Sequence, residues 1–582
     1  RTGTKTTHKE RQSVPGTNLT RDEATARAAV LHVTAYEIDL DLTTGPQTFR
    51  TVTTVTFGAT PGADTWIDFV GESVQAVTLN GRSLDPAQVF ADSRIALPGL
   101  AADNTLVVDA TGRYTNSGEG LHRSVDPVDG EVYLYSQFEV PDARRVYAVF
   151  EQPDLKATFA FTVTVPEHWI VLSNEPVATR TLAGEDRTTW TFPPTPRISS
   201  YITAVCAGPY VGVTDSFAGR GAQIPLGVYA RKSLAEYVDH DNILDCTKAG
   251  IGFLEEEFDM PFPFSKYDQI FVPEYNAGAM ENAGCVTITD IYVFRGQAPE
   301  PLVERRALTI LHELAHMWFG DLVTMQWWDD LWLNESFAEW ASSEAQVEVT
   351  RWHDAWTTFH THEKTWAYQQ DQQSDTHPVY ADMRDLHDIA VNFDGITYAK
   401  GGSILKQLVA YVGRDAFRTG LRAYFRKHAW GNTTMSDLFA EFEAASGRDL
   451  SDWAQRWLRT AGVNTLTIEV ETDADDVITS ATMVQTAIAD FPTLRPHRLR
   501  IGRYDLRDGR LVRVGSDEVD IDGPRSPLPA LVGQRRPDLL LPNDDDLTYA
   551  KIQLDKRSFD TALTHAATMT YPLARSLITG SL

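Results

Sequence analysis

The segment Leu311-His312-Glu313-Leu314-Ala315-His316, followed further along by Asn334-Glu335-Ser336, is the part of the chain that decides its fold. Neither Pro nor Gly interrupts residues 302–319. Apolar residues recur there at helical spacing, at Leu308, Leu311, Ala315 and Phe319. Residues four apart on a helix lie one above the other, so both imidazoles leave the same helix face. The segment therefore predicts a helix that presents two histidines side by side.

Two neutral imidazoles on one helix face suit a zinc ion, which binds histidine nitrogen at roughly 2.0–2.1 Å. Glu313 lies too far round the helix to be a good third ligand, but it can accept a proton from water on the metal. Glu335 is the candidate third ligand, and the fourth position of a catalytic site stays open. Asn334 is interpreted as the N-cap of the helix that carries Glu335.

The histidine pattern alone also permits a simpler interpretation. A bare H-E-x-x-H arises by chance in some chains, and helical histidines are often surface or satisfied core residues. The apolar helical frame and the acidic helix downstream favour the metal site over that alternative.

Composition excludes several classes of protein. The chain has 582 residues, enough for about three or four domains. Its formal net charge is −28 without a long Lys/Arg run, so we expect no nucleic-acid partner. No window approaches the ~18–20 apolar residues of a membrane span. The three cysteines, Cys206, Cys246 and Cys285, are too few for a disulfide framework, which fits a reducing compartment, so we expect a cytoplasmic protein. We also expect a monomer.

Hydrophobic periodicity divides the chain into regions. From Tyr36 to about Ser216 the period is two, with Asn80-Gly81 as a hairpin signal, which predicts a β saddle or sandwich. Helical patterning dominates from 233 to 459, with short strands near 269–272 and 286–288. After residue 462 the period returns to two, with a hairpin at Asp508-Gly509, and the tail from Ser558 is helical.

We therefore predict a multidomain α+β protein. The expected divisions are a disordered leader (1–13), an N-terminal β domain (14–217), an α+β catalytic domain (218–462), a small β-sandwich (463–555) and the start of a C-terminal helical domain (556–582).

Two further motifs carry candidate chemistry. In Gly278-Ala279-Met280-Glu281-Asn282, small residues let a substrate backbone approach, and a carboxylate could hold a charged group. From the residues alone this segment could equally be any turn. The hydroxyl of Tyr398 could stabilise a developing oxyanion, although most tyrosines are packing residues.

Taken together, these motifs resemble the zinc aminopeptidases of the aminopeptidase N family, a gluzincin family, in their actinobacterial form. The motifs match in order and spacing, and the resemblance covers about residues 15–554; they are G-A-M-E-N, H-E-L-A-H-M-W-F-G-D, W-L-N-E-S-F-A-E-W and I-T-Y-A-K-G. The segment 137–145 resembles the family's N-terminal-domain motif, and 543–551 resembles actinobacterial members. The acidic triplet Asp544-Asp545-Asp546 is interpreted as a solvated loop rather than a calcium site, because no EF-hand spacing follows.

The resemblance implies a thermolysin-like catalytic domain in which His312, His316 and Glu335 bind one zinc ion per chain. It makes Glu313 the general base, and Tyr398 the donor to the oxyanion. Substrate binding falls to one group of residues, in which Gly278 and Ala279 pair with the peptide backbone and the two glutamates bind the free ammonium: Gln137, Glu139, Gly278, Ala279, Met280, Glu281 and Asn282. The implied function is release of single N-terminal amino acids from peptides with a free N-terminus.

Some positions depart from the family pattern. Asp321 stands where many relatives have Asn, Ser336 where many have Gly, and Ala277 where some have a larger residue. We also expect most of the family's C-terminal helical domain to be missing. Three alternatives stay open: a related epoxide hydrolase, a thermolysin-like endopeptidase and a non-catalytic peptide-binding scaffold.

Overall fold

A computed structural model describes residues 16–581 of the chain. The predicted disordered leader, residues 1–13, lies outside the described residues. The described part is a multidomain α+β protein, as predicted. Within residues 16–581, no helix is both long enough and apolar enough to cross a membrane.

The N-terminal region is built from β-sheets, as its period of two predicts. In the strand Leu31–Asp41 the buried and exposed side chains alternate, with Tyr36, Ile38 and Leu40 in the core. The Asn80-Gly81 hairpin is confirmed: both residues have positive φ (54° and 77°) and join Ser73–Leu79 to Arg82–Leu84.

Three sheets make up this region. The largest runs in the order Thr179–Leu182, Arg187–Thr191, Thr158–Pro166, Leu31–Asp41, Thr48–Ala59, Asp103–Arg113, Ser73–Leu79 and Arg82–Leu84. A second sheet contains Ile170–Ser173, Val205–Gly208, Val132–Gln137 and Gly120–Val125. A small third sheet contains Thr65–Asp68, Arg94–Leu97 and Phe90–Ala91, and a short helix covers Arg21–Ala28.

Residue 217, the predicted end of the N-terminal domain, lies inside a strand. That strand, Val211–Ala218, pairs along its length with Gln223–Ala230 in the next sheet. Alternation reveals a strand but not the sheet that it joins, so the sequence pattern carried no signal for this boundary. We propose that the boundary lies near residue 209.

The central region packs helices against a five-stranded mixed sheet. The strand order is Val211–Ala218, Gln223–Ala230, Tyr267–Val272, Cys285–Thr289 and Ala279–Met280, which places Ala279–Met280, hereafter the edge strand, at one side. The longer helices are His240–Phe258, Glu300–His316, Trp332–Val349, Gly401–Val412, Arg414–His428, Met435–Ser446 and Ser451–Leu458.

The helix of the histidine motif, hereafter the motif helix, covers Glu300–His316 rather than 302–319. It ends early because Gly320 adopts φ +115° and the chain turns back. The N–H groups of Asp321 and Leu322 then donate to the carbonyls of His316 and Met317 at 3.1 and 3.3 Å. This turn directly follows His316, the second histidine of the motif, and fixes the end of the helix there.

The helix that carries Glu335, hereafter the glutamate helix, covers Trp332–Val349. The prediction that Asn334 is its N-cap is wrong. A preceding 3-10 turn runs straight into the helix, so Leu331 already has helical φ and ψ, and the N–H of Asn334 donates to its carbonyl at 3.0 Å. The Asn334 side chain instead donates to the Tyr201 hydroxyl at 3.0 Å, which ties the helix to the N-terminal region.

The third region is a sandwich of two small sheets, followed by helices. One sheet contains Arg525–Pro527, Ile478–Thr486, Thr465–Thr472 and Lys551–Gln553, and the other contains Arg510–Ile521, His497–Arg507 and Leu539–Asp544. The predicted hairpin at Asp508-Gly509 joins two strands of the second sheet. The tail forms the predicted helices, Lys556–His565 and Pro572–Ser581.

The acidic triplet is not a solvated loop, so that prediction is wrong. Asp544 and Asp546 are buried, and Asp546 accepts from Lys364 at 2.6 Å and approaches His360 Nδ1 at 3.1 Å. Arg513 pairs with Asp545 at 2.8 Å. The sequence pattern could not predict this burial, because the cationic side chains that pair with these carboxylates come from distant parts of the chain.

Candidate metal centre

The predicted ligand atoms converge between the motif helix and the glutamate helix. His312 Nε2 and His316 Nε2 lie 3.0 Å apart, and Glu335 Oε2 lies 3.4 Å from each. Ligand atoms at ~2.0–2.1 Å from a tetrahedral metal lie roughly 3.3–3.4 Å apart, so this triangle fits one zinc ion. Two imidazoles and one carboxylate are also a donor set that suits zinc.

Both imidazoles are oriented by a contact on their far side. His316 Nδ1 lies 2.9 Å from the Phe319 carbonyl, which can only accept, so Nδ1 carries the proton and Nε2 is free to bind a metal. His312 Nδ1 lies 3.3 Å from Glu339 Oε2. Such outer contacts fix the tautomer and the ring plane of metal-binding histidines.

Glu339 was not among the site residues predicted from the sequence. Its signal was available, because it follows Glu335 by four residues and so lies on the same helix face. Nothing in the sequence, however, showed that this face meets His312.

Carboxylates give the centre a strong preference for positive charge. Although burial opposes ionisation, the two imidazoles lower the pKa of Glu335 to about 2. Burial opposes protonation of His312, but Glu335 and Glu339 raise its pKa to about 9. A divalent cation at the point of convergence satisfies the same carboxylates.

A cavity of about 240 Å³ opens over these ligands. Most of the predicted site residues lie on its wall: Glu139, Gly278, Ala279, Glu281, His312, Glu313, His316, Glu335 and Tyr398. Ala277, one of the positions that departs from the family pattern, lines it as well. Residues separated by up to 259 positions in the chain are thus brought to one pocket.

Three of the predicted residues do not reach the cavity wall. Gln137 lies behind it, where its amide contacts Met280 Sδ at 3.4 Å and accepts a hydrogen bond from the Tyr275 hydroxyl. Asn282 donates to Thr287 Oγ1 at 3.3 Å. Gln137 therefore supports the edge strand from behind through Met280, which belongs to that strand, and Asn282 holds the segment that follows it.

Three carboxylates gather at the His316 end of the cavity. Carboxylate oxygens of Glu139, Glu281 and Glu335 lie within 4.8 Å of one another. Within residues 16–581, Oε1 of Glu139 and Oε1 of Glu281 are buried without a hydrogen-bond partner. Burial and the neighbouring Glu281 raise the pKa of Glu139 well above its usual range. A cationic group that entered here would relieve this cost by pairing with both side chains.

The edge strand borders the cavity. Ala279 and Met280 pair with Ile288 and Thr287 on the inner side, and in the part of the chain that the structure describes no strand pairs with the other side. A Cβ built on Gly278 would meet no atom within 4 Å, so the space beside it is open. An extended peptide could add to this edge by backbone hydrogen bonds.

The Tyr398 ring lies over the first histidine. Its centroid is 5.9 Å from that of His312, with 24° between the planes. Burial, followed by the nearby carboxylates, raises the pKa of Tyr398 well above its usual range, so its hydroxyl remains a donor. Asp394 holds the turn Ile396–Lys400 that carries the tyrosine, accepting from the N–H groups of Ile396 and Thr397 at 2.9 and 3.1 Å.

The candidate metal ligands lie on two antiparallel helices, with a glutamate inside the motif and an open sheet edge beside it. Together these features define a metallopeptidase site. Comparison with known proteins agrees. Residues 243–457 match the peptidase family M1 domain, and residues 34–202 match the peptidase M1 N-terminal domain.

The named relatives are aminopeptidases. The chain is 57% identical over 577 residues to Aminopeptidase N of Streptomyces lividans, covering 97% of this chain and 67% of the relative. It is 33% identical over 406 residues to Probable aminopeptidase 2 of Sulfurisphaera tokodaii, covering 69% and 51% respectively. With Aminopeptidase M1-C of Oryza sativa the identity is 33% over 413 residues, covering 69% and 46%.

The chain belongs to peptidase family M1, and its class is metallo-aminopeptidase. The resemblance found in the sequence motifs is thereby confirmed. The chain spans about two thirds of the Streptomyces relative and about half of the other two.

Proposed function

We propose that this chain is a zinc aminopeptidase that releases single amino acids from peptides with a free N-terminus. The observation that carries the proposal is a pair of carboxylates beside three converging ligand atoms: Glu139 and Glu281 each have a buried oxygen without a hydrogen-bond partner within residues 16–581. A buried carboxylate pair needs a cation, and a peptide's α-ammonium is a cation at the end of the substrate.

His312, His316 and Glu335 would hold the zinc ion. When bound, zinc supplies a Lewis acid that polarises a carbonyl and lowers the pKa of water to roughly 7. Glu313 lines the same cavity, and burial raises its pKa to about 8. A carboxylate with a raised pKa can take a proton from water and later return it to the leaving amine.

Tyr398 would stabilise the charge that develops on the scissile carbonyl oxygen. Its hydroxyl remains protonated in this buried, acidic cavity, so it can donate to an oxyanion. The edge strand would hold the peptide backbone extended across the cavity, with Gly278 and Ala279 closest to it.

The carboxylate pair also determines where the peptide is cut. With Glu139 and Glu281 on the cavity wall beside the candidate metal ligands, an ammonium fits, whereas an upstream residue would lie against two carboxyl groups that it cannot pair with. The enzyme would therefore remove one residue at a time. A thermolysin-like endopeptidase needs an open cleft at this position, which disfavours that alternative.

One assay separates the candidate functions. Leucine anilide and its N-acetylated counterpart are compared with and without a zinc chelator, using wild type and Glu313→Gln. We expect cleavage of the free-amine substrate alone, lost with chelator and in the variant. Equal cleavage of both substrates would identify an endopeptidase, and zinc binding without cleavage would identify a scaffold. Hydrolysis of an epoxide substrate alone would identify the epoxide hydrolase.

The cytoplasmic location and the monomeric state remain predictions from the sequence. The three cysteines are buried, and none of them forms a disulfide bond.

A further inference from the structure

A second cavity, of about 310 Å³, adjoins the catalytic cavity along the motif helix. The two cavities share walls formed by Arg305, Leu308 and Glu363. The remaining wall of the second cavity consists of Pro301, Leu302, Glu304, Ser343, Gln346, Ala355, Thr358, Phe359 and His362.

The two cavities follow successive turns of the same pair of helices. On the motif helix the lining residues step from His312 to Leu308, Arg305 and Leu302. On the antiparallel glutamate helix they step from Glu335 to Glu339, Ser343 and Gln346. One turn is about 5.4 Å, so the second cavity begins roughly one turn from the metal ligands and ends roughly three turns away.

The wall of the second cavity is mainly apolar. Leu308, Ala355 and Phe359 are buried, while Leu302 forms its rim with 47% of its surface exposed. Two of the polar groups on the wall are satisfied internally: Thr358 Oγ1 donates to Glu304 Oε1 at 2.7 Å, and Gln346 Nε2 donates to the Glu304 carbonyl at 3.0 Å. Arg305 and Glu363 form an ion pair where the two cavities meet.

The direction of the substrate follows from the position of the ammonium site. Glu281 Oε1 lies 4.0 Å from His316 Nδ1, so the amine end of a peptide would lie at the C-terminal end of the motif helix. The rest of the peptide then runs past His312 toward Leu308 and Arg305. Its leaving part therefore points into the second cavity.

Because an extended chain advances about 3.3 Å per residue, the third residue's Cα lies roughly 5 Å beyond the bond that is cut, which joins the first and second residues. Leu308 and Arg305 lie about 6 and 10.5 Å from His312 along the helix. We propose that the second cavity is a specificity pocket for an apolar side chain on the third residue of the peptide. This inference rests on the proposed aminopeptidase function and adds its substrate preference.

The test uses tetrapeptides Leu-Ala-X-Gly with X as Gly, Leu, Phe or Asp, and Leu-Ala-Gly-Leu as a register control. We expect kcat/KM about tenfold higher for X as Leu or Phe than for Gly, mainly through KM, and no gain for Asp. Leu-Ala-Gly-Leu should behave as Leu-Ala-Gly-Gly. A preference that follows the fourth residue, or no preference at all, would overturn the proposal.

Two variants connect the preference to this cavity. Leu302→Gln changes the exposed rim, and Ala355→Leu fills the interior; both should reduce the Leu/Gly ratio to about threefold or less. Leucine anilide ends before the third residue, so its hydrolysis should be unchanged. Leu563→Gln and Ala444→Leu, at exposed positions elsewhere, are the matched controls and should keep the ratio.

Anilide hydrolysis also separates failure of this inference from failure of the proposed function. If wild type does not cleave the anilide, the aminopeptidase proposal fails. If it cleaves the anilide but the peptide ratio is insensitive to both cavity variants, only the specificity pocket is refuted. Loss of anilide cleavage in Ala355→Leu alone would indicate misfolding, and Leu302→Gln then decides the outcome.

Discussion

In the proposed function, burial makes the Glu281 side chain a recognition element for the substrate. Its carboxylate has one oxygen without a partner among the described residues, and burial raises its pKa. In water such a group would bind an ammonium weakly, whereas in this cavity both charges would lose their water and depend on each other.

We predict that Glu281→Gln raises KM for leucine anilide about 10- to 100-fold, with a smaller change in kcat. The substitution keeps the shape but removes one of two charges facing the ammonium, a charged hydrogen bond of ~1.5–3 kcal/mol. Steady-state kinetics measures it, with exposed Glu185→Gln as the control. An unchanged KM would place the ammonium elsewhere.

The motif helix and the glutamate helix position the candidate metal ligands. Some features of this arrangement could be predicted from the sequence, and others could not. The histidine pair could be predicted because one helix fixes its geometry. The contact between His312 and Glu339 could not, because it depends on how two helices pack. The Asn334 N-cap prediction failed because a turn from Trp328 to Asp330 begins the helical conformation earlier.

Gln137 and Asp546 show the same limit over longer distances. Motif position indicated that Gln137 belongs near the site, but only the fold shows that it contacts Met280 behind the cavity wall. The acidity of the 544–546 segment was evident, whereas its burial depends on Lys364, 182 residues away in the chain. Local sequence patterns predict individual helices and strands, but they do not show which of these elements pack against each other.

At the scale of the two helices, we predict that Glu339→Gln weakens zinc affinity about 10- to 100-fold. The carboxylate contacts His312 Nδ1 and so supports both the tautomer and the basicity of the ligand. Competition with a fluorescent chelator measures the affinity. Glu344→Gln, further along the same helix, is the control; equal affinities would show that Glu339 does not orient the histidine.

Over the whole molecule, buried ion pairs connect the catalytic region to the β-sandwich. Asp546 joins Lys364 and His360 across this junction. Within the catalytic region, Lys400 pairs with Asp371 at 2.8 Å with both side chains fully buried. Breaking one partner of such a pair leaves an uncompensated charge in the interior.

We therefore predict that Asp546→Asn lowers the free energy of unfolding by about 3–5 kcal/mol, because the Lys364 ammonium is left without its counter-ion. Urea unfolding measures the change. The double variant Asp546→Asn/Lys364→Met should recover part of the loss. A single variant as stable as wild type would contradict the structural role of the pair.

At the same junction, His497 leads us to predict that the folded protein loses stability in acid. Burial, followed by the charge of Arg495, lowers the pKa of His497 to about 3, whereas an unfolded imidazole titrates near ~6.5. Between about pH 6.5 and 3 the unfolded chain binds the extra proton, so the free energy of unfolding falls as pH falls, by up to ~1.4 kcal/mol per unit from this group. His497→Gln should flatten this slope in urea unfolding, and exposed His168→Gln should not.

X-ray absorption at the zinc edge tests the metal centre most directly, on protein purified with one equivalent of zinc. We expect two imidazole nitrogens and one carboxylate oxygen among the zinc ligands at about 2.0–2.1 Å, with a single imidazole left in His316→Ala. A sulfur shell, or a spectrum unchanged by that substitution, would show that zinc binds elsewhere and would contradict the proposed mechanism.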